Sequence, residues 1–202
     1  MEFRIKFSGK SHDYTGEEIE TVVQAMKTAD PYTQGSYQKD FERKFAAYIG
    51  ADHAFAVNNA TAALEMAAQL CQFESGDEVV IPSHTFTSTA YPFVKKGASI
   101  VWADIDLHTR VVTSETLEKC ITPRTKAIVV VHLYGYMADM ARIMTLAKDH
   151  NLLVIEDAAQ SMGTELNGLK SGACSDMGIF SLHSHKNITT LGEGGVLTVR
   201  DP

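Results

Sequence analysis

The residues with the clearest chemical potential lie between positions 176 and 195. A short apolar run, residues 177–180, leads into Ser181 and a polar loop that holds Lys186, and a glycine cluster, Gly192, Gly194 and Gly195, follows. A lysine read alone is a solvated surface charge. At the end of a strand, beside a serine hydroxyl and glycines that let main chain approach a ligand closely, its amine can form an imine with a carbonyl compound. Chemistry of that kind needs a carboxylate and an anion cradle from elsewhere in the chain.

Candidates for both are present. Asn59-Ala60-Thr61 opens an alanine-rich segment. It reads plainly as a helix cap, and functionally as a phosphate site, because free N–H groups and the helix dipole favour an anion there. Phe86 is a core aromatic or a ring stacked on a planar group. Asp157 directly follows Leu-Leu-Val-Ile-Glu, a position where a carboxylate is costly to bury unless a partner such as a protonated ring nitrogen meets it. Gln160 is by default a surface amide. His183 and His185 lack a carboxylate or thiol at ligand spacing, so the sequence offers no metal site.

The elements that must position these groups alternate along the chain. Thr15-Gly16-Glu17-Glu18 is a capping box, followed by Ile19, Val22, Val23 and Met26 on one helical face. A second helix carries Phe41, Phe45 and Tyr48 and stops at Gly50. Residues 53–57 read as a short buried strand, and a helix follows to about Phe73. Strands at 78–81, 100–103, 126–132 and 152–155 are separated by helical stretches at 85–95, 115–120 and 140–148. That alternation predicts an α/β fold, three layers with a mostly parallel sheet. Residues 164–170 form a small hairpin turning on Asn167-Gly168, and strands at 178–181 and 196–199 complete the sheet, the last of them a candidate antiparallel strand. Asn59 to Thr61, residues 82–86, Asp157 and residues 181–186 all follow strand ends, so they are expected on one rim.

Composition sets outer bounds. The 202 residues are 45% hydrophobic and 21% charged, with a formal charge of −7. This is a globular composition, and its negative balance argues against nucleic acid or an anionic membrane as the main partner. Three cysteines without metal spacing read as reduced thiols of a cytoplasmic protein. Residues 1–10 lack the apolar core of a secretory signal.

The ordered set Asn58-Asn59-Ala60-Thr61-Ala62-Ala63-Leu64, Gly76-Asp77-Glu78-Val79, residues 82–86, His132-Leu133-Tyr134-Gly135, Glu156-Asp157-Ala158-Ala159-Gln160, Phe180-Ser181, Lys186-Asn187 and Gly192-Glu193-Gly194-Gly195 resembles the DegT/DnrJ/EryC1/StrS family of pyridoxal-phosphate-dependent sugar aminotransferases. The resemblance spans about residues 35–200. It implies the large domain of the aminotransferase fold type I and the cofactor pyridoxal 5′-phosphate. Lys186 would hold the cofactor covalently and Asp157 would face its ring nitrogen. Gln160 would bond its 3-oxygen and Phe86 would stack on the ring. Ala60, Thr61 and Ser181 would hold the phosphate. Ala60 stands where many relatives have glycine, and Leu182 where an aromatic is usual.

The implied reaction moves an amino group, with glutamate the expected donor, to a nucleotide-linked 4-keto-6-deoxyhexose for surface-polysaccharide synthesis. It also implies a homodimer with shared active sites. The alternatives are a sugar dehydratase of the same family, with histidine in place of the lysine, and a non-catalytic domain. His185 lies one place from Lys186, but counting six residues on from Phe180 reaches the lysine. The resemblance further implies that residues 1–202 are the first part of the cofactor-binding domain, without the smaller C-terminal domain. On their own they are expected to bind cofactor weakly and turn over poorly.

Overall fold

The computed structural model describes residues 12–201; the stretch read for a secretory signal lies outside them. Two helices, α1 (Gly16–Thr28) and α2 (Ser36–Ile49), precede strand β1 (His53–Val57) and helix α3 (Ala60–Leu70). Strand β2 (Glu78–Pro82) leads through a 3₁₀ turn (Thr87–Thr89) to α4 (Tyr91–Lys95) and β3 (Ser99–Ala103). Then come α5 (Ser114–Glu118), β4 (Thr125–Val131), a second 3₁₀ turn (Leu133–Gly135), α6 (Met140–His150) and β5 (Leu153–Asp157). The hairpin β6 (Glu165–Leu166) and β7 (Leu169–Lys170) is followed by β8 (Met177–Ser181) and β9 (Gly195–Val199).

Seven strands form one sheet in the order β1-β9-β8-β5-β4-β2-β3. From β8 through β5, β4 and β2 to β3 every neighbour is parallel. Strand β9 alone is reversed, pairing antiparallel with both β8 and β1. Side chains alternate across this sheet, as strand geometry requires. Val79, Ile81, Ala127, Val129, Ile155, Met177, Ile179 and Leu197 pack on one face with α3 and α4. Val80, Ile128, Val130 and Val154 pack on the other with α5 and α6. Phe180 and Val196 share that second face with Phe45, Ala46 and Ile49 of α2. The result is the three-layer α/β/α arrangement predicted from the alternation. No helix among the described residues is long and apolar enough to cross a membrane.

Three local expectations need correction. The segment 85–95 is not one helix. Pro92 cannot donate a ladder bond, so the chain makes a 3₁₀ turn over Thr87–Thr89 and restarts as α4 with Pro92 in its first turn. Strand β1 is not a buried strand: it ends the sheet, and His53 and Phe55 are exposed. Helix α1 forms with its capping box complete, Thr15 and Glu18 exchanging bonds, yet none of its residues is buried and Ile19, Val22 and Met26 face outward.

Other expectations hold. Gly50 adopts a left-handed conformation and closes α2. Asn167 and Gly168 both have positive φ, the geometry of a tight hairpin turn. The three cysteines are free thiols.

Beneath the rim lies a polar pair that the sequence reading missed. His132 and Glu156 are fully buried, with Nε2 and Oε2 2.8 Å apart. The Ala138 N–H donates to His132 Nδ1, which leaves the ring hydrogen on Nε2, aimed at Glu156. Glu156 also accepts from the backbone N–H of Gly172, Cys174 and Ser175 and from the Ser175 hydroxyl. Burial alone would raise the Glu156 pKa; the bonds from His132, Gly172 and Ser175 outweigh it and hold the carboxyl below its usual range.

Glu156→Gln puts an amide NH₂ against donors whichever way it turns. Urea unfolding at neutral pH is expected to show a loss of about 3 kcal/mol or more. Because the folded pKa is depressed, the stabilisation is present above the unfolded value and is lost as pH falls through the folded one. The deficit of the variant should therefore shrink at acid pH. A deficit unchanged between neutral and strongly acid pH would count against this account.

Candidate active site

Register places the candidate groups. Val131 of β4 pairs with Asp157 of β5, and Asp157 pairs with Ile179 of β8. Ser181 of β8 and Val57 of β1 both pair with Gly195, the first residue of reversed β9. The start of β9 therefore lies between two strand ends and joins them into one rim. Gly195 has no side chain for a physical reason: a Cβ there would strike the Asn59 carbonyl and lie 2.7 Å from the Ala60 amide nitrogen. Its absence lets β9 run against the first turn of α3.

Asn59 caps α3, its side chain accepting from the Ala62 N–H at 2.9 Å. The amides of Ala60 and Thr61 open the helix, where an anion is favoured. The Thr61 hydroxyl donates to Ser88 Oγ at 3.0 Å, tying this turn to the loop after β2.

Asp157 ends β5 with the same facing as Ile155, toward α3 and α4. It is buried, at 6% exposure. The Thr89 hydroxyl donates to Oδ2 at 2.8 Å, and the Ala159 N–H donates to Oδ1 at 3.1 Å. Burial pushes its carboxyl above the ordinary value; Thr89, Ala159 and Lys186 work against that push without cancelling it.

Lys186 is half-buried, and burial pushes its amine below the ordinary value while Asp157 opposes. The loop that carries it is pinned by backbone bonds, Leu182 to Gly194, Ser184 to Gly192 and Lys186 to His183. The Asn187 amide holds it to the Met162 carbonyl. Leu182 is buried with Phe180 and Phe45, so it serves packing at that position.

Gln160 accepts from the Tyr134 N–H at 3.2 Å through its amide oxygen. That bond turns its NH₂ end into the donor a ligand would meet. Phe86 presents an exposed ring at the start of the 3₁₀ turn.

Ala60, Thr61, Phe86, Asp157, Gln160, Ser181 and Lys186 all line one cavity of about 420 Å³, within the range of small-molecule sites. His185 also lines it, but it is exposed at the edge. Thr85 and His183 lie in the segments 82–86 and 181–186 expected on this rim, whereas Ser88, Thr89 and Glu193 were not expected as cavity groups. The hydroxyl run Thr87-Ser88-Thr89 was the available signal, but a helical reading of 85–95 hid which hydroxyls turn inward.

A strand-end lysine, a buried carboxylate and the first turn of α3 meet in one cavity at the rim of an α/β domain. The chain belongs to the DegT/DnrJ/EryC1/StrS aminotransferase family, whose model matches residues 13–202. It is 44% identical over 186 residues to GDP-perosamine synthase of Caulobacter vibrioides, covering 92% of this chain and 50% of that protein. It is 42% identical over 185 residues to the spore coat polysaccharide biosynthesis protein SpsC of Bacillus subtilis (strain 168), covering 92% and 47%. Among solved structures, the aminotransferase from Psychrobacter cryohalolentis superposes with a TM-score of 0.88 at 37% identity, over 94% of this chain and 48% of that one. The chain thus spans about half the length of the curated relatives it matches.

Proposed function

We propose that this chain supplies the cofactor site of a pyridoxal-phosphate-dependent aminotransferase that moves an amino group from an amino acid, glutamate being the expected donor, to a nucleotide-linked keto sugar. The observation that carries the reading is the convergence of Lys186, Asp157 and the first turn of α3 on one cavity. The likeness to a GDP-perosamine synthase supports the sugar class, and the likeness to a spore coat polysaccharide biosynthesis protein supports a role in surface polysaccharide. The finer reading is a 4-keto-6-deoxyhexose amination by a homodimer with shared sites.

The residues fit the cofactor on their own geometry. Asp157 is a buried carboxylate with two donors on it and an ionisation that burial resists, a setting that a protonated ring nitrogen would suit. The amides of Ala60 and Thr61, with the hydroxyls of Thr61 and Ser181, suit a phosphate. Phe86 offers a ring face and Gln160 an amide donor. Pyridoxal phosphate, when bound, supplies an electron sink that stabilises negative charge at a donor carbon.

The chain's own work is to bind, aim and move protons. Lys186 Nζ is the covalent anchor and, when released, the base. Burial keeps the amine easier to deprotonate than an exposed lysine, which suits a proton acceptor near neutral pH. Asp157 keeps the ring nitrogen protonated. Lys186 is electrostatically coupled to the buried Asp157 and stands six residues past Phe180, which favours amine transfer over the histidine-based dehydration.

The test is to load the protein with pyridoxal phosphate, reduce it with borohydride and map the attachment. Label on Lys186, with amine transfer from glutamate to a GDP-linked 4-keto-6-deoxy sugar, is the expected result. Cofactor held without covalent label, together with loss of a sugar hydroxyl and no amine transfer, would replace this reading with a dehydratase.

A further inference from the structure

Asp157 rests on a hydroxyl relay that neither the family resemblance nor the site description above assigns a role. Thr85 Oγ1 and Thr89 Oγ1 are 2.7 Å apart, and Thr89 Oγ1 is 2.8 Å from Asp157 Oδ2. A hydroxyl has one hydrogen to give. Thr89 spends its hydrogen on the carboxylate, so Thr85 must donate to Thr89. The order Thr85 to Thr89 to Asp157 is thereby fixed. Thr89 is almost wholly buried, at 1% exposure.

We propose that Thr89, backed by Thr85, is the positioning residue that keeps Asp157 ionised and aimed into the cavity. The physical need is plain from the surroundings. Asp157 lies at the end of an apolar strand where burial favours its neutral form. Among the described residues, two hydrogen-bond donors oppose this directly, the Ala159 N–H and the Thr89 hydroxyl. Hydrogen bonds to the charged form of a carboxylate at a buried position are among the stronger ones. A donor polarised by a second hydroxyl behind it is stronger again.

The turn explains why a threonine reaches here at all. The 3₁₀ geometry of Thr87–Thr89 brings successive side chains round in a tighter spiral than an α-helix. Ser88 is carried to Thr61 and Thr89 to Asp157. One short turn thus braces both the anion end and the carboxylate end of the cavity. Other ionisable groups near Asp157 are Lys186, His183, His185 and Glu193, from the loop after β8 around the same cavity, and His132 at the end of β4.

The inference rests on the cofactor reading for its purpose but not for its measurement. Carboxyl carbon NMR of the intact protein, prepared without cofactor, follows the titration of Asp157, whose signal is identified by its loss in Asp157→Asn. Thr89→Val, close in shape but without a hydroxyl, is expected to raise the Asp157 midpoint by about one pH unit, tenfold in proton affinity. Thr89→Ser restores the parent midpoint, and Thr85→Val moves it the same way by less. Should Thr89→Val fail to fold, Thr85→Val carries the test. An Asp157 midpoint that does not move in the folded variant overturns the proposal, whatever the cofactor result. Midpoints that move as described support it even if the parent protein fails to retain pyridoxal phosphate, a result that would count against the functional reading alone.

Discussion

Lys186→Ala should abolish amino transfer, lowering turnover by about 10⁴-fold or more, while leaving the fold nearly unchanged. The size of the loss follows from two roles resting on one atom. Lys186 Nζ is the proposed covalent anchor and the proposed base, and among the described residues it is the one lysine in the cavity lining. The small structural effect follows from its half-exposed position in a loop that backbone bonds hold without the side chain. Circular dichroism and thermal unfolding should match the parent closely. The decisive measurement is amino-sugar product per protein molecule. Repeated turnovers by Lys186→Ala would remove this lysine from the mechanism.

The second large effect is expected from Asp157→Asn, on the order of 10²–10³-fold in rate, with a much smaller loss of cofactor retention. An amide cannot hold a ring nitrogen protonated, although it fits the site: its oxygen accepts from the Ala159 N–H while its NH₂ donates to Thr89 Oγ1, which then passes its own hydrogen to Thr85. The rate of exchange of the donor's α-proton isolates this step from sugar binding. An Asp157→Asn protein that exchanges that proton as fast as the parent would end the assignment.

The same substitution has a stability signature of opposite sign. Burial raises the folded-state pKa of Asp157 above its unfolded value. Ionising it then costs stability, a cost that begins as pH rises past the ordinary carboxylate value and is complete above the folded pKa. In protein without cofactor, Asp157→Asn should therefore unfold at a temperature equal to or above the parent at neutral pH. That advantage should vanish at acid pH, where the parent carboxyl is already neutral. A site that gains stability when its carboxylate is removed is one whose shape serves a ligand.

Much of this was legible in the chain. The alternation of apolar strands and amphipathic helices determined a parallel α/β sheet, because apolar runs on both faces of a strand demand helices on both sides. Lys186, Asp157 and the Asn59–Thr61 turn could be named as candidates because each lies at or a few residues beyond the end of a strand, and strand ends share a rim.

Sequence could not reveal what fixes each group in place, because the causes are distant in the chain and meet only by folding. The reversal of β9 sets Gly195 between Val57 and Ser181, and only that neighbourhood explains why no Cβ fits. Pro92 broke the expected helix and turned Thr89 under Asp157, 68 residues away in sequence. Adjacent carboxylates received opposite surroundings for the same reason. Pleating sends Glu156 to one face, where His132 and the 172–175 backbone lower its pKa, and Asp157 to the other, where burial raises it. Local pattern determined which residues could matter. Strand order and facing decided which of two neighbouring acids became a structural brace and which a site.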